Sequence, residues 1–334
     1  MPKSLPQKKT LVGAVFFFTL TLFLTLPLTS VQAVTVSPVR LEITGNPGTT
    51  VHSEFVVTND EASEKTFYST FENFEAQGET GTPNFIPAKD GLATWITAPG
   101  SVTLKPGEKQ TIPFSITIPS NAEAGGNFAA IFLGTTPPEK QGQVQVAIGG
   151  RIGILVLLKV SGLVSEKGGL LEFFAEGKKS IFASEPVNLY YRFQNNGGDR
   201  IKPTGSVVIR NTFGLTAATL SANPSEGNIL PASIRKFNVV WGQALPESTS
   251  RGFWSEVGRE LRHFHFGRYT ANIVLSYGET NQTVSETLAL WMIPWQLLSL
   301  IALLAVAAYF IFGTGLKRYN HWIIKRAKVA ARSR

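Results

Sequence analysis

Between residues 34 and 290 apolar positions recur every second residue rather than every 3.6, the period of strands with one buried face. In Thr111-Ile-Pro-Phe-Ser-Ile-Thr-Ile118, Ile112, Phe114, Ile116 and Ile118 share one face, and Pro113, Ser115 and Thr117 share the other. Pro113 has no amide hydrogen, so this strand is expected at an edge, or with that position turned to solvent. Lys105-Pro-Gly-Glu108 before it reads as a tight turn. Further strands are expected at Val51 to Val57, Thr66 to Phe74, Phe128 to Leu133 and Ile152 to Val160. The first strand changes parity across Ser37-Pro38, which predicts a crossing from one sheet to another. A Gly- and Ser-containing stretch, residues 161–169, reads as a linker. Beyond it Val187, Leu189, Tyr191 and Phe193 alternate. A last hairpin carries Tyr269, Ala271, Ile273, Leu275 and Tyr277 on one arm and Val284, Leu288 and Leu290 on the other. Short strands with regular turns predict an all-β protein of two tandem immunoglobulin-like β-sandwiches.

Two segments break the alternation by being wholly apolar. Leu11 to Leu26 follows Lys3, Lys8 and Lys9 and precedes Val31 and Ala33, the layout of a signal peptide cleaved after Ala33. Gln296 to Leu316 carries no charge and at about 1.5 Å per residue spans roughly 31 Å, the thickness of a bilayer core. Trp291, Trp295 and Trp322 flank it as interface aromatics, and Lys317 and Arg318 begin a basic tail on one side only. The positive-inside rule then puts the N-terminal ectodomain outside and the tail in the cytoplasm, a single-pass membrane protein. The expected organisation is signal peptide 1–33, first sandwich 34–162, second sandwich 168–290, transmembrane helix 294–316 and cytoplasmic tail 317–334. One insertion, 250–266, has helical spacing: Phe253, Val257 and Leu261 recur every four residues, with Trp254, Arg259 and Arg262 beside them. It reads either as a partner- or membrane-contacting helix or as a cover for the open end of the sandwich.

Composition narrows the chemistry. The chain's net charge of +8 resides at its ends, because the 21 basic residues between the two apolar runs are balanced by the 23 acidic ones. The charge is therefore a topology signal, and a nucleic-acid partner is not expected. With no cysteine there is no disulfide framework, thiolate nucleophile or cysteine-based metal site. His263 and His265 form an H-x-H pair without further ligands in view, and Gly177-Lys-Lys-Ser180 lacks the upstream glycine of a phosphate loop. No cofactor, metal or enzymatic activity is expected. Candidate binding residues in the first domain are Trp95, which either stacks on a sugar or belongs to the core, and Gly125, Gly126 and Asn127, where paired glycines permit close backbone approach. In the insertion they are Phe253, Trp254, Arg259 and Arg262.

The order of Val36-Ser-Pro-Val-Arg40, Val57-Thr-Asn59, Val102-Thr-Leu-Lys-Pro-Gly-Glu108, Ile118-Pro119 and Ala124-Gly-Gly-Asn-Phe-Ala-Ala-Ile131 resembles the first domain of the bacterial WxL-interacting surface proteins. The layout of leader, two immunoglobulin-like domains, one membrane helix and basic tail is similar too. That resemblance implies peptidoglycan as the partner of the first domain and another surface protein as the partner of the second. The expected function is a non-enzymatic cell-surface binding protein. The alternatives are a chaperone or assembly factor working through an exposed edge strand, or an accessory subunit of a membrane complex, packed through Ala302, Ala305, Gly313 and Gly315.

Overall fold

The computed structural model describes residues 34–137, 150–243 and 252–332; the expected signal peptide lies outside them. The first sandwich is built from β1 (Val34–Ser37), β2 (Arg40–Gly45), β3 (Thr50–Asn59), β4 (Lys65–Gln77), β5 (Thr82–Pro87), β6 (Ile96–Thr97), β7 (Ser101–Leu104), β8 (Lys109–Thr117), β9 (Gly125–Gly134) and β10 (Arg151–Val160). One sheet runs β1-β3-β8-β6 and the other β2-β10-β9-β4-β5, with β7 also on β4. The parity change at Ser37-Pro38 is the crossing it predicted: β1 pairs antiparallel with β3, and β2 pairs in parallel with β10 in the opposite sheet. The inward residues of both sheets, among them Phe55, Val57, Phe67, Ile116, Ile131 and Ile154, form one fully buried cluster.

Pro113 on β8 shows how the sequence blunts an edge. The Ile118 amide donates to the Thr49 carbonyl (2.9 Å), so alternate positions up β8 bond to β3 and Pro113, opposite Glu54, faces away from it. Strand β6 covers only Ser115 and Ile116 on that outer side. The missing donor thus falls where no described strand stands, which makes this segment a poor acceptor of an added strand.

The second sandwich comprises β11 (Gly168–Ala175), β12 (Ile181–Phe182), β13 (Val187–Asn195), β14 (Thr204–Asn211), β15 (Thr216–Ser221), β16 (Ser233–Trp241), β17 (Gly267–Tyr277) and β18 (Gln282–Met292). Its sheets run β11-β13-β16 and β12-β18-β17-β14-β15. Val187, Leu189, Tyr191 and Phe193 are completely buried, packed on Ala271, Ile273 and Leu275 from the other sheet. Tyr191 stacks on Phe237 (4.8 Å, 8°), and its hydroxyl donates to the Ala222 carbonyl, a buried end that a phenylalanine would leave unpaired.

Both sandwiches close their loops on a buried asparagine at the end of the equivalent strand. Asn59 donates to the carbonyls of Ser63, Leu104 and Lys105 and accepts from the Glu61 amide. Asn195 donates to Asp199 and Ile229 and accepts from Gly197. Each side chain substitutes for backbone partners that irregular loops cannot supply to one another.

Three α-helices complete the described residues. A single turn, α1 (Leu92–Trp95), plugs one side of the first sandwich with buried Leu92 and Ala93. The expected insertion contains α2 (Phe253–Arg262), and α3 (Trp295–Arg332) is a continuous helix that runs on through the segment expected as a tail. Only Ile293 and Pro294 separate β18 from α3.

Replacing Asn195 by alanine takes the partner from the Gly197 amide and the Asp199 carbonyl and leaves the Ile229 carbonyl with the Ile201 amide alone. It is expected to cost roughly 1–3 kcal/mol, read as a lower denaturant midpoint with unchanged slope. An unchanged midpoint would refute the pinning role.

Candidate functional site

The two sandwiches meet through a polar seam that encloses an apolar cleft. Glu42 on β2 is its hub: it accepts from Asn228 Nδ2 (2.9 Å) and pairs with Lys202 (3.3 Å), Arg200 (3.6 Å) and its neighbour Arg40 (3.3 Å). Burial alone would raise this carboxyl, but the hydrogen bonds from Asn228 and Lys202 and the charges of Arg200 and Lys202 hold it below its ordinary value. On one flank Arg192 grips Glu79 with two bonds (2.8 and 2.5 Å), and the Lys236 amide of β16 donates to the Glu79 carbonyl (2.7 Å). The Arg192 bond and charge lower the Glu79 carboxyl despite some desolvation. On the other flank Lys159 bonds Glu279 and lies 3.7 Å from Asp199; the Glu279 bond and the surrounding carboxylates raise its ammonium against burial.

Gly125 and Gly126 belong to this seam. The Gly126 amide donates to the Gly198 carbonyl (2.9 Å). Gly125 has φ +132°, and a Cβ there would stand 2.5 Å from that carbonyl. The close backbone approach expected of a ligand is therefore made by the second sandwich. Asn127 is half-buried, its amide turned back to the Gly125 carbonyl (3.4 Å). Trp95 is also half-buried, at the end of α1, and packs against the core of the first sandwich. Its exposed part joins Asn127, Asp90, Asn121 and Glu123 along an open polar groove of about 740 Å³.

The cleft behind the seam has a different character. Phe74, Leu155, Leu157, Ile229 and Leu230 line a narrow cleft of about 70 Å³ together with Arg40 and Arg235. Phe74 continues an aromatic row on the outer face of the first sandwich, in contact with Phe85 and Phe128, while Phe85 stands edge-on to Phe132 (4.8 Å). Arg235 donates to the Asn228 carbonyl (2.7 Å) and lies over Phe237, and among the described residues no carboxylate pairs with it. Burial, with Arg40 close by, lowers its affinity for a proton, although Tyr191 opposes this. One wall is the start of β16, Ser233 to Arg235, the terminal strand of its sheet. A one-faced alternation predicts polar outer residues on β10. The sequence signal for the cleft was the continuous run Ile154-Leu-Val-Leu-Leu158, apolar on both faces.

The insertion residues separate. Arg259 is drawn inward, bonding Ser184 (3.1 Å) and pairing with Glu256. Arg262, Phe253 and Trp254 are exposed. The inner face of α2 is Val257 and Glu260, and Glu260 Oε2 accepts from the Leu297 amide (2.6 Å) at the start of α3. A carboxylate there meets both the unpaired amides and the positive end of the helix dipole. His265 bonds Glu185 (2.8 Å) and Tyr269 (3.2 Å) and lies against Trp241, while His263 ends α2, exposed. No metal-binding group of side chains occurs among the described residues. Helix α3 is the one described helix long and apolar enough to cross a membrane, over Trp295–Lys325. Trp291, Trp295, Lys317, Arg318 and Trp322 are all exposed along or beside it.

The seam titrates from both sides. Glu42 and Glu79, with lowered pKa values, contribute stability above the usual Glu value of about 4.3 that is lost as pH falls through the lowered values. Lys159, with a raised pKa, contributes stability below about 10.4 that is lost as pH rises through the raised value. Thermal unfolding of the full chain is therefore expected to weaken below about pH 4, with Glu42→Gln lowering Tm at pH 7 and flattening the acid limb. Parallel acid limbs in the two proteins would remove Glu42 from this role.

Neither a family model nor a curated protein matches the chain. Among solved structures, the class 5 fimbriae chaperone CfaA overlaps at 13% identity over 76% of this chain and 98% of its own, TM-score 0.36. A chain of the Salmonella enterica complex of SafA pilin with the SafB chaperone overlaps at 10% identity over 78% and 98%, TM-score 0.35. The E. coli chaperone DraB does so at 11% identity over 77% and 97%, TM-score 0.34. At these TM-scores the overlaps say nothing of partner or chemistry.

Proposed function

We propose that this chain is a non-enzymatic, membrane-tethered binding protein, an assembly or anchoring factor that holds another extracytoplasmic protein by a segment laid between its two sandwiches. The observation that carries this reading is the cleft: an apolar floor of Phe74, Leu155 and Leu157 beside a half-buried guanidinium, Arg235, that has no carboxylate partner among the described residues. A segment of apolar side chains with a carboxylate suits those walls, since a buried charge is satisfied by pairing. The terminal strand β16 offers backbone groups beside it, and one of them, the Lys236 amide, already takes a carbonyl from outside its sheet. The Pro113 edge is the weaker site for such a partner, for the reason given above. Tethering is supported by the length and hydropathy of α3 and by its exposed face.

A second reading, wall-glycan binding, is favoured by one observation: Trp95 and Asn127 share a polar groove with Asp90, Asn121 and Glu123. Aromatic faces with flanking carboxylates and amides suit sugars. The resemblance to WxL-interacting proteins points the same way.

Photocrosslinking separates the two. A crosslinking residue at Leu230, in the full-length protein in its own cells, is expected to capture a small set of extracytoplasmic proteins, with Arg235→Glu reducing capture at least tenfold. Absence of protein adducts at Leu230 sinks the cleft reading. Retention of the full-length protein by insoluble peptidoglycan, lost in Trp95→Ala without a change in Tm, would transfer the function to the groove.

A further inference from the structure

We propose that the end of the second sandwich nearest α3 is a membrane-seating surface, whose aromatic side chains enter the interfacial layer of the bilayer that α3 crosses. This rests on the reading of α3 as the membrane span and goes beyond it: a helix alone tethers a domain, whereas a seated base also fixes its orientation.

The strand register assembles the surface from separate parts of the chain. Met292, three residues before α3 begins, lies opposite Gly267, and Asn211 lies opposite Tyr269. The turn between β14 and β15 is thereby brought to the same end, where Thr212 Oγ1 donates to the Arg268 carbonyl (2.8 Å). That turn, Asn211-Thr-Phe-Gly-Leu215, carries no charge, yet Phe213 is 87% exposed and Leu215 65%. Sequence periodicity gives no reason for a phenylalanine at the tip of a turn in water. Asn211 Oδ1 holds the turn by accepting from the amides of Phe213 and Leu215 (3.0 Å each), so the tip is a built feature.

The segment before β17 adds Phe264 and Phe266, both more than half exposed, and β18 adds Trp291. Helix α2 is tied to this end twice, by Glu260 to the Leu297 amide and by Arg259 to Ser184, just beyond β12, whose Phe182 carbonyl accepts from Ile293. Its outer side presents Trp254 (71% exposed) and Leu261 (66%). Among the described residues before Trp295, every phenylalanine, tyrosine or tryptophan in the exposed class lies at this end. Exposed large aliphatic residues elsewhere, such as Val39, Ile86 and Leu163, are scattered over the two sandwiches.

Continuity with α3 selects lipid as the occupant. The patch surrounds the point where an apolar helix leaves the sandwich, so the interface at that helix's end lies against it. Aromatic rings suit that layer because they join an apolar body to a polarisable rim. The exposed charged side chains beside them, Arg262 and Arg268, are cations, as contact with anionic headgroups favours.

The absence of cysteine allows a direct test, since any single substitution to cysteine carries a unique spin label. Full-length variants Leu215→Cys, Leu304→Cys and Lys89→Cys are labelled in nanodiscs of phosphatidylcholine and phosphatidylglycerol, and collision rates with oxygen and with a water-soluble nickel chelate are compared. The expected result is lipid-like exposure, oxygen over nickel, at 215 and 304 and the reverse at 89. Adding Phe213→Asp should raise nickel access at 215 several-fold without altering 304. Water-like exposure at 215 with lipid-like exposure at 304 overturns the seating surface and leaves the tether; water-like exposure at 304 overturns both. Shielding of 215 from both reagents, with spin–spin broadening, assigns the patch to a second copy of the chain and overturns the lipid assignment.

Discussion

The candidate site of this protein exists only while the charged seam centred on Glu42 holds the two sandwiches together. Neither sandwich forms the apolar cleft alone: Phe74, Leu155 and Leu157 come from the first, and Ile229, Leu230 and Arg235 from the second. A seam of apolar contacts between the sandwiches would use the same kind of surface that a ligand needs. Here charge pairs and backbone bonds hold the rim, while the apolar centre, where Leu157 and Phe74 are buried, keeps only a narrow cleft. The individual pairs are partly exposed and each is weak, as solvent-screened pairs are. Their effect comes from number and from geometry, in that Glu42, Arg192 and Lys159 fix three separate points of one rim.

The same logic explains why the glycines at 125 and 126 are glycines. A loop that must bring its backbone within hydrogen-bonding distance of another backbone has no room for a side chain, whichever chain the partner belongs to. Reading such a pair as a ligand contact and reading it as a domain contact are equivalent on the sequence. Only the placement of Gly198 separates them.

What was legible in the sequence follows from periodicity. Strands with one polar face, such as β8, β13 and β17, announced themselves residue by residue, and the crossing at Ser37-Pro38 was legible as a change of parity. Helix α2 was legible from its four-residue spacing, and of the face inferred from Phe253, Val257 and Leu261 only Val257 is buried, beside Glu260, because the helix covers little of the sandwich and packs on α3 instead. Long-range pairs left no trace: nothing local distinguishes Glu42 from the other acidic residues, or Arg235 from a basic residue on a solvated strand. The groove residues Trp95 and Asn127 were found because tryptophan and paired glycines are conspicuous, and the cleft was missed because leucines are not.

The two-residue link between β18 and α3 also has a mechanical consequence. The second sandwich joins the first at Gly168, whose carbonyl accepts from the Tyr277 hydroxyl at the end of the β17–β18 hairpin opposite α3. A pull on the first sandwich therefore runs the length of the second and enters α3 along the axis of β18. The ladder between β17 and β18, in register from Tyr277 opposite Gln282 to Gly267 opposite Met292, is loaded in shear, so its bonds must yield together rather than one by one as in peeling. A strand-to-helix junction built this way resists tension best along the axis of the strand.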